Sequence, residues 1–160
     1  MRRLILMRHG EAENALAGND DRKRKLTPAG QAAALRCGQE IRALGFSPDL
    51  ILCSDAERAV GTLHAVVRSA GLVGVATKIR SDLYLADDHT VIQACGDEDD
   101  ALETILMIGH NPGWSEAATA LCGTPLSLGT AQAALLEHPA DDWITALGEI
   151  GRWKLKGIVP

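Results

Sequence analysis

Two histidines and two arginines stand just beyond hydrophobic runs. Arg8-His9-Gly10 follows Leu4-Ile5-Leu6-Met7, Gly109-His110-Asn111 follows Thr104-Ile105-Leu106-Met107-Ile108, and Arg58 comes soon after Leu50-Ile51-Leu52-Cys53. These side chains suit phosphoryl transfer. Planar guanidiniums clamp the oxygens of a phosphoryl group, and a neutral imidazole can attack phosphorus. A second imidazole, if protonated, adds positive charge where the equatorial oxygens gather negative charge.

The elements that must position these residues alternate along the chain. Leu4–Met7, Leu50–Cys53 and Thr104–Ile108 are short apolar runs of the buried-strand type. Val75–Ser81 reads as a weaker, more polar strand. Gln132–Glu137 and Gly151–Lys156 read as two late strands near an edge. Between them lie helical patterns: Thr27–Leu44, with Thr27 as cap and Pro28 in the first turn; a helix capped by Ser54 or Asp55 and running to Ala70; a turn or more over Val91–Asp100; and a helix from Gly113 through Leu121. Such alternation predicts an α/β three-layer sandwich, a mostly parallel central sheet with helices on both faces. Ligands of such sheets bind beyond the carboxyl ends of the strands, which is where the histidines and arginines fall. The helices starting near Asp55 and Gly113 aim N-terminal N–H groups at the same region, which favours an anion.

Composition narrows the function classes. The chain has 160 residues, enough for one domain spanning 1–160. It carries 16 basic and 21 acidic residues, a net charge of −5, which argues against nucleic acid or an anionic membrane as partner. The aromatic residues, Phe46, Tyr84, Trp114, Trp143 and Trp153, are too few for a base-stacking surface. No apolar run approaches the roughly 18 residues of a membrane span. The opening Met1-Arg2-Arg3 and its short apolar run read as a first strand, not a signal peptide, so a cytoplasmic protein is expected; a monomer is the expected state. Cys37, Cys53, Cys95 and Cys122 are far apart and read as reduced thiols.

The stretch Leu4–Glu11, containing Arg8-His9-Gly10, resembles the RHG signature of the histidine phosphatase superfamily, the phosphoglycerate mutase-like proteins. Ser54-Asp55-Ala56-Glu57-Arg58-Ala59-Val60-Gly61-Thr62 is similar to its second motif, and Ile108-Gly109-His110-Asn111-Pro112 to its second histidine block. Arg24-Lys25-Leu26-Thr27-Pro28-Ala29-Gly30 and Leu83-Tyr84-Leu85-Ala86 resemble the SixA-type branch, the phosphohistidine phosphatases. The resemblance implies a phosphoglycerate mutase-like fold. It also implies that His9 is the nucleophile that becomes phosphorylated, that Arg8 and Arg58 bind the phosphoryl oxygens, and that His110 completes the pocket. Arg24, Asn111 and Gly10 are further candidates for substrate binding. One ring nitrogen of His9 must be bare and the other must donate to a fixed acceptor, which the sequence does not identify.

Many relatives in that superfamily place a glutamate after the third strand. Here Asp82-Leu83-Tyr84-Leu85-Ala86-Asp87-Asp88-His89 has none, and Asp87 and Asp88 are the candidates for a general acid. An alkoxide leaving group needs a proton donor, whereas an imidazole can depart already protonated. A weak acid therefore suits phosphoramidates better than alkyl phosphates. The expected substrate is phosphohistidine on a signalling or phosphotransfer protein. Alternatives are a phosphatase of small phosphate esters and a non-catalytic phosphate-binding module. No metal or other cofactor is expected, since Arg8, Arg58 and His110 supply the positive charge.

Other features read more plainly. His64 belongs to packing or surface, His89 to a solvated loop, and His138 to a strand-end surface. Arg22-Lys23-Arg24-Lys25 either steers an acidic phosphoprotein or is solvated, and Asp97-Glu98-Asp99-Asp100 is a solvated helix end rather than a calcium loop. The tryptophans read as packing residues, with Trp114 close enough to His110 to line the pocket. Cys53 to Arg58 is one residue short of the C-x5-R of cysteine phosphatases, Gly113-Trp114-Ser115-Glu116-Ala117 lacks the last glycine of a serine-hydrolase elbow, and no P-loop pattern occurs.

Overall fold

The computed structural model describes residues 1–18 and 20–160. Its strands are β1 (Arg2–Arg8), β2 (Leu50–Ser54), β3 (Ala76–Arg80), β4 (Thr104–Gly109), β5 (Ala133–His138) and β6 (Lys154–Val159). They form one six-stranded sheet in the order β3-β2-β4-β1-β5-β6. The β3-β2-β4-β1 part is parallel, and β5 is antiparallel to both β1 and β6. The sheet is thus mostly parallel, with β5 as the reversed strand. Every residue of β2 and β4 is buried, as covered faces require, whereas β3 at one edge is largely exposed.

The helices are α1 (Pro28–Ala43), α2 (Glu57–Ala70), α3 (Asp88–Gly96), α4 (Gly113–Cys122) and α5 (Trp143–Gly148). Helices α1 and α2 cover one face, where Cys37, Ile41, Leu63 and Val66 pack on Ile5, Ile51 and Ile108. Helices α3, α4 and α5 cover the other, where Val91, Trp114, Leu121 and Trp143 pack on Leu4, Leu52 and Met107. Burying side chains of this size on both faces is the main stabilising term of the sandwich. Thr27 caps α1, accepting from the Gly30 N–H at 3.0 Å, with Pro28 in the first turn.

Several boundaries differ from those expected, each for a local reason. Helix α2 begins at Glu57 behind Ala56, and neither Ser54 nor Asp55 is its cap. The Ser54 hydroxyl lies against His110 instead, at 2.8 Å. Helix α3 starts earlier than Val91 because the Asp87 carboxylate caps it through the Thr90 N–H, and it ends at Gly96. The last strand starts at Lys154, not Gly151, because Gly151 and Trp153 donate their N–H groups to Ala120 and Leu121 at the end of α4. Helix α5 was not expected. At six residues it is too short to display a helical period, although Asp142 caps it through the Thr145 N–H.

The acidic run after α3 is less solvated than its composition suggests. Glu98, its side chain 6% exposed, pairs with Lys78 at 2.6 Å, and Asp100 accepts from the Trp143 N–H. His138 is buried rather than at the surface. The four cysteines are unpaired, and burial pushes the thiols of Cys37 and Cys53 up to about 12. Among the described residues, no helix is long and apolar enough to cross a membrane.

Candidate active site

Parallel register brings the two histidines together. Arg8, the last residue of β1, is paired with Gly109, the last of β4, so His9 and His110 leave the sheet side by side. The His9 N–H donates to the Gly109 carbonyl at 2.9 Å, and the two rings meet edge to face with centroids 5.2 Å apart. Strand β2 ends level with them, since Cys53 pairs with Ile108, and Ser54 thereby reaches His110. Arg58 projects from the first turn of α2. The walls of the resulting cleft, of about 380 Å³, include Arg8, His9, Arg58 and His110.

Hydrogen bonds assign the ring protons. His9 Nδ1 lies 2.7 Å from the Gly10 carbonyl, which can only accept, so the proton sits on Nδ1. His9 Nε2 is then a bare lone pair, and Arg58 Nε points at it from 3.4 Å. The acceptor that orients His9 is therefore the carbonyl of its own neighbour. Burial, followed by the charges of Arg58, Arg8 and Arg24, pushes the His9 pKa down to about 4, against the opposing pull of the Gly10 carbonyl. Repulsion by the arginines contributes, but loss of hydration is the larger cause.

His110 is oriented the other way. Its Nδ1 faces Arg58 Nη2 at 3.5 Å, so Nε2 carries the proton and donates to the Ser54 hydroxyl. Burial, then the neighbouring His9 and Arg58, pushes its pKa down to about 3. The second imidazole is thus neutral in the free site, and the standing positive charge belongs to the guanidiniums.

The anchor of Arg58 was not singled out from the sequence. Asp21, in a short 3-10 helix over Asp21–Lys23, accepts from Arg58 Nη1 through its carbonyl at 2.8 Å and from Nη2 through its carboxylate at 3.0 Å. Arg24 Nη1 donates to the same carboxylate at 3.0 Å, and the Tyr84 hydroxyl donates to it as well. These bonds hold the Asp21 carboxyl well below the usual carboxylate range, that of Tyr84 foremost. Arg58, its side chain 3% exposed, is therefore paired with Asp21 rather than with Glu57 or Asp55. Tyr84 meets the His110 ring edge-on, 5.4 Å between centroids, and the Arg22 guanidinium lies over the Tyr84 ring at 4.2 Å. The only sequence clue to Asp21 was its place beside a basic run.

The remaining candidates divide. Arg24 and Asn111 line the cleft. Both are engaged: Arg24 Nε donates to the Glu13 carbonyl at 2.7 Å, and Asn111 bridges the Leu128 carbonyl and the Ser115 hydroxyl at 2.8 and 2.7 Å. The Gly10 N–H is turned away from the cleft and donates to Thr62 Oγ1 at 2.9 Å. A side chain at Gly10 would place its Cβ 2.7 Å from the Gly30 carbonyl oxygen, so this glycine serves the close approach of α1. Asp87 is occupied as the cap of α3, its carboxyl held below the ordinary value by the backbone and side chain of Thr90, and neither it nor Asp88 is in the cleft wall. Trp114 does not line the cleft either. It is fully buried behind His110, edge-on at 6.2 Å, and its indole N–H donates to the Met107 carbonyl.

A larger groove of about 490 Å³ runs along α2 past Lys25, His64 and Arg68, but it contains neither His9 nor His110. Among the described residues, no group of three or more His, Cys, Asp or Glu side chains is arranged to hold a metal ion.

The chain is also similar to known proteins. Residues 4–83 match the family model described as histidine phosphatase superfamily (branch 1). An uncharacterized chloroplastic protein of Arabidopsis thaliana is 35% identical over 170 residues, covering 99% of this chain and 77% of that protein. Among solved structures, a protein from Agrobacterium tumefaciens assigned as phosphohistidine phosphatase SixA superposes with a TM-score of 0.85 at 25% identity, over 99% of this chain and 97% of that one. The protein histidine phosphatase SixA in complex with tungstate superposes with a TM-score of 0.79 at 22% identity, over 98% and 96% of the two chains, a likeness of fold.

Proposed function

Because this chain belongs to the histidine phosphatase superfamily, we propose that it dephosphorylates phosphohistidine carried on a protein, through a phosphorylated His9. The observation that carries this reading is the state of His9: a proton fixed on Nδ1 by the Gly10 carbonyl, a bare Nε2, and a pKa pushed down to about 4. Such a ring is an unprotonated nucleophile throughout the neutral range. The likeness to the Agrobacterium tumefaciens protein assigned as phosphohistidine phosphatase SixA supports the choice of substrate class.

Arg8 and Arg58 take the phosphoryl oxygens. Arg58 is pre-aimed, because Asp21 holds one side of its guanidinium and leaves the other turned toward His9 and His110. Arg8 donates from Nη1 to the Leu128 carbonyl at 3.2 Å, and its buried Nε finds no partner among the described residues. Preset donors of this kind stabilise developing charge without reorganising at the moment of reaction. A dianionic phosphoryl group entering beside His110 favours protonation of that ring, which then adds to the charge on the equatorial oxygens.

In the first step the lone pair of His9 Nε2 attacks phosphorus. The P–N bond to the substrate imidazole breaks, and its electron pair leaves with that ring. Protonated already on its other nitrogen, the leaving imidazole departs neutral. In the second step water attacks phosphorus, the bond to His9 Nε2 breaks, the electron pair returns to the ring, and the protons of water pass to phosphate. No step needs a carboxylic acid. That suits a cleft in which the carboxyl of Asp21 is held ionised and Asp87 is spent as a cap.

The experiment is phosphate release from a phosphohistidine-bearing protein, by wild type and His9→Ala, with chelator present. Rapid release by the wild type and none by the variant supports the reading. Turnover that survives in His9→Ala, or stops with chelator, overturns it.

A further inference from the structure

Among the described residues, two non-glycine residues have left-handed backbone, Leu85 with φ 47° and Ala131 with φ 58°. Ala131 is hydrogen-bonded to His9, and Leu85 lines the same cleft as His9. Ala131 has a structural duty there, since it is buried and its N–H donates to the His9 carbonyl at 3.0 Å. Leu85 has none of that kind. Its side chain is not folded into the core; the residue is 56% exposed, and it is the aliphatic member of an otherwise polar and aromatic cleft wall. Left-handed backbone is disfavoured for a branched, bulky side chain, and persists where the surroundings dictate it.

The surroundings of Leu85 are tightly determined. On one side Tyr84 is tied through its hydroxyl to Asp21, in the charged cluster that holds Arg58. On the other, Asp87 caps α3. Ala86 is pressed against the start of α4, where a Cβ on Gly113 would lie 1.9 Å from the Ala86 carbonyl oxygen. The segment is therefore clamped at Tyr84, Ala86 and Asp87, on both sides of Leu85. Its exposed side chain at the mouth of the cleft is an imposed position rather than the slack of a loose loop.

We propose that Leu85 is a specificity-determining residue, an apolar contact for the group that carries the phosphoryl. The inference rests on the phosphohistidine reading above and deepens it. With the phosphoryl oxygens facing Arg8 and Arg58, the leaving group must extend out of the cleft past its wall. A leaving imidazole presents C–H edges and a methylene there, and an isobutyl side chain is complementary to both. A phosphoryl donor with no carbon gains nothing from Leu85. The residue thus selects for what the phosphoryl is attached to, while the guanidiniums recognise the phosphoryl itself.

The test compares two donors, a phosphohistidine-containing peptide and phosphoramidate, whose leaving group is ammonia. Leu85→Gly removes the side chain and relaxes the backbone, because glycine adopts positive φ without strain. The ratio of kcat/KM for peptide over phosphoramidate is expected to fall about tenfold, carried by KM for the peptide. Leu85→Met is expected to restore the ratio to within about twofold, as a side chain of similar volume. The Tm of Leu85→Gly is expected to equal or exceed that of the wild type. An unchanged ratio, whether through equal losses on both donors or through none, overturns the assignment, as does a ratio that Leu85→Met fails to restore. A wild type that hydrolyses neither donor overturns the phosphohistidine reading itself, and the role of Leu85 with it.

Discussion

The two ends of β1 carry the same pair of residue types. At one end Arg2 is paired across the sheet with His138, and at the other Arg8 is followed by His9. All four are wholly or substantially withdrawn from solvent. At the first end every ring nitrogen is committed: His138 Nδ1 accepts from the Ala140 N–H at 3.1 Å, and Nε2 donates to Glu149 at 2.9 Å. Arg2 donates to the Leu102 carbonyl at 2.7 Å and lies over the Trp143 ring. At the second end Nδ1 of His9 is committed to the Gly10 carbonyl, while Nε2 accepts a long bond from Arg58 Nε at 3.4 Å and opens on a cleft. Each arginine has a buried Nε without a partner among the described residues, so an orphaned donor does not separate the two ends. What separates them is an unprotonated imidazole nitrogen that faces a cleft and a guanidinium. Burial alone makes a structural histidine. Burial with one nitrogen unprotonated and open to a cleft, at the carboxyl end of a parallel strand, suits the nucleophilic role proposed for His9.

The contrast can be broken most sharply at His9. Its replacement by alanine is expected to cost on the order of 10³-fold or more in phosphate release, without loss of fold by circular dichroism. Arg58→Ala follows, at about 10²- to 10³-fold in kcat, the range for removing one preset charge donor. Asp21→Asn leaves Arg58 present but removes its charged anchor. We expect a loss of about tenfold in kcat/KM, with Tyr84→Phe weaker still because it removes one bond to the same carboxylate. At the other end, His138→Ala leaves turnover within about twofold of wild type but strands the Ala140 N–H. A cost of about 1–3 kcal/mol is expected, read as a lower Tm at roughly 2–4 °C per kcal/mol. A large loss of activity in His138→Ala would erase the distinction between the two ends.

Acid sharpens the comparison further. The folded chain keeps His9 and His110 neutral down to about 4 and about 3, against an ordinary value of 6.5. Between these values the unfolded chain binds the protons that the folded chain refuses. The contribution of both rings to stability is therefore present above 6.5 and lost as pH falls through that value toward 4 and 3. Urea unfolding of the wild type at pH 7 and pH 4.5 should show this loss, and His9→Ala should show less of it. In turnover, kcat/KM should fall on the acid side with an apparent pKa near 4, where His9 takes a proton, instead of near 6.5.

The alternation of apolar runs and helical periods determined the layered sheet, because strands covered on both faces must be continuously apolar and their connections must be helical. The same patterns placed Arg8, His9, Arg58 and His110 at strand ends or just beyond, which is a local property of the chain. Short or edge elements were less legible. Helix α5 has too few residues for a period, and the start of β6 depends on backbone bonds to α4. The chemistry within the site was decided by contacts that no local pattern contains. Asp21 reaches Arg58 and Tyr84 across 37 and 63 residues of sequence, and Ser54 reaches His110 across 56. Which nitrogen of each histidine holds the proton, which carboxylate is held ionised and which is spent on a helix cap all follow from where such distant groups meet. A hydrogen bond and a desolvation penalty act over a few ångströms of space, and only the folded chain brings those ångströms about.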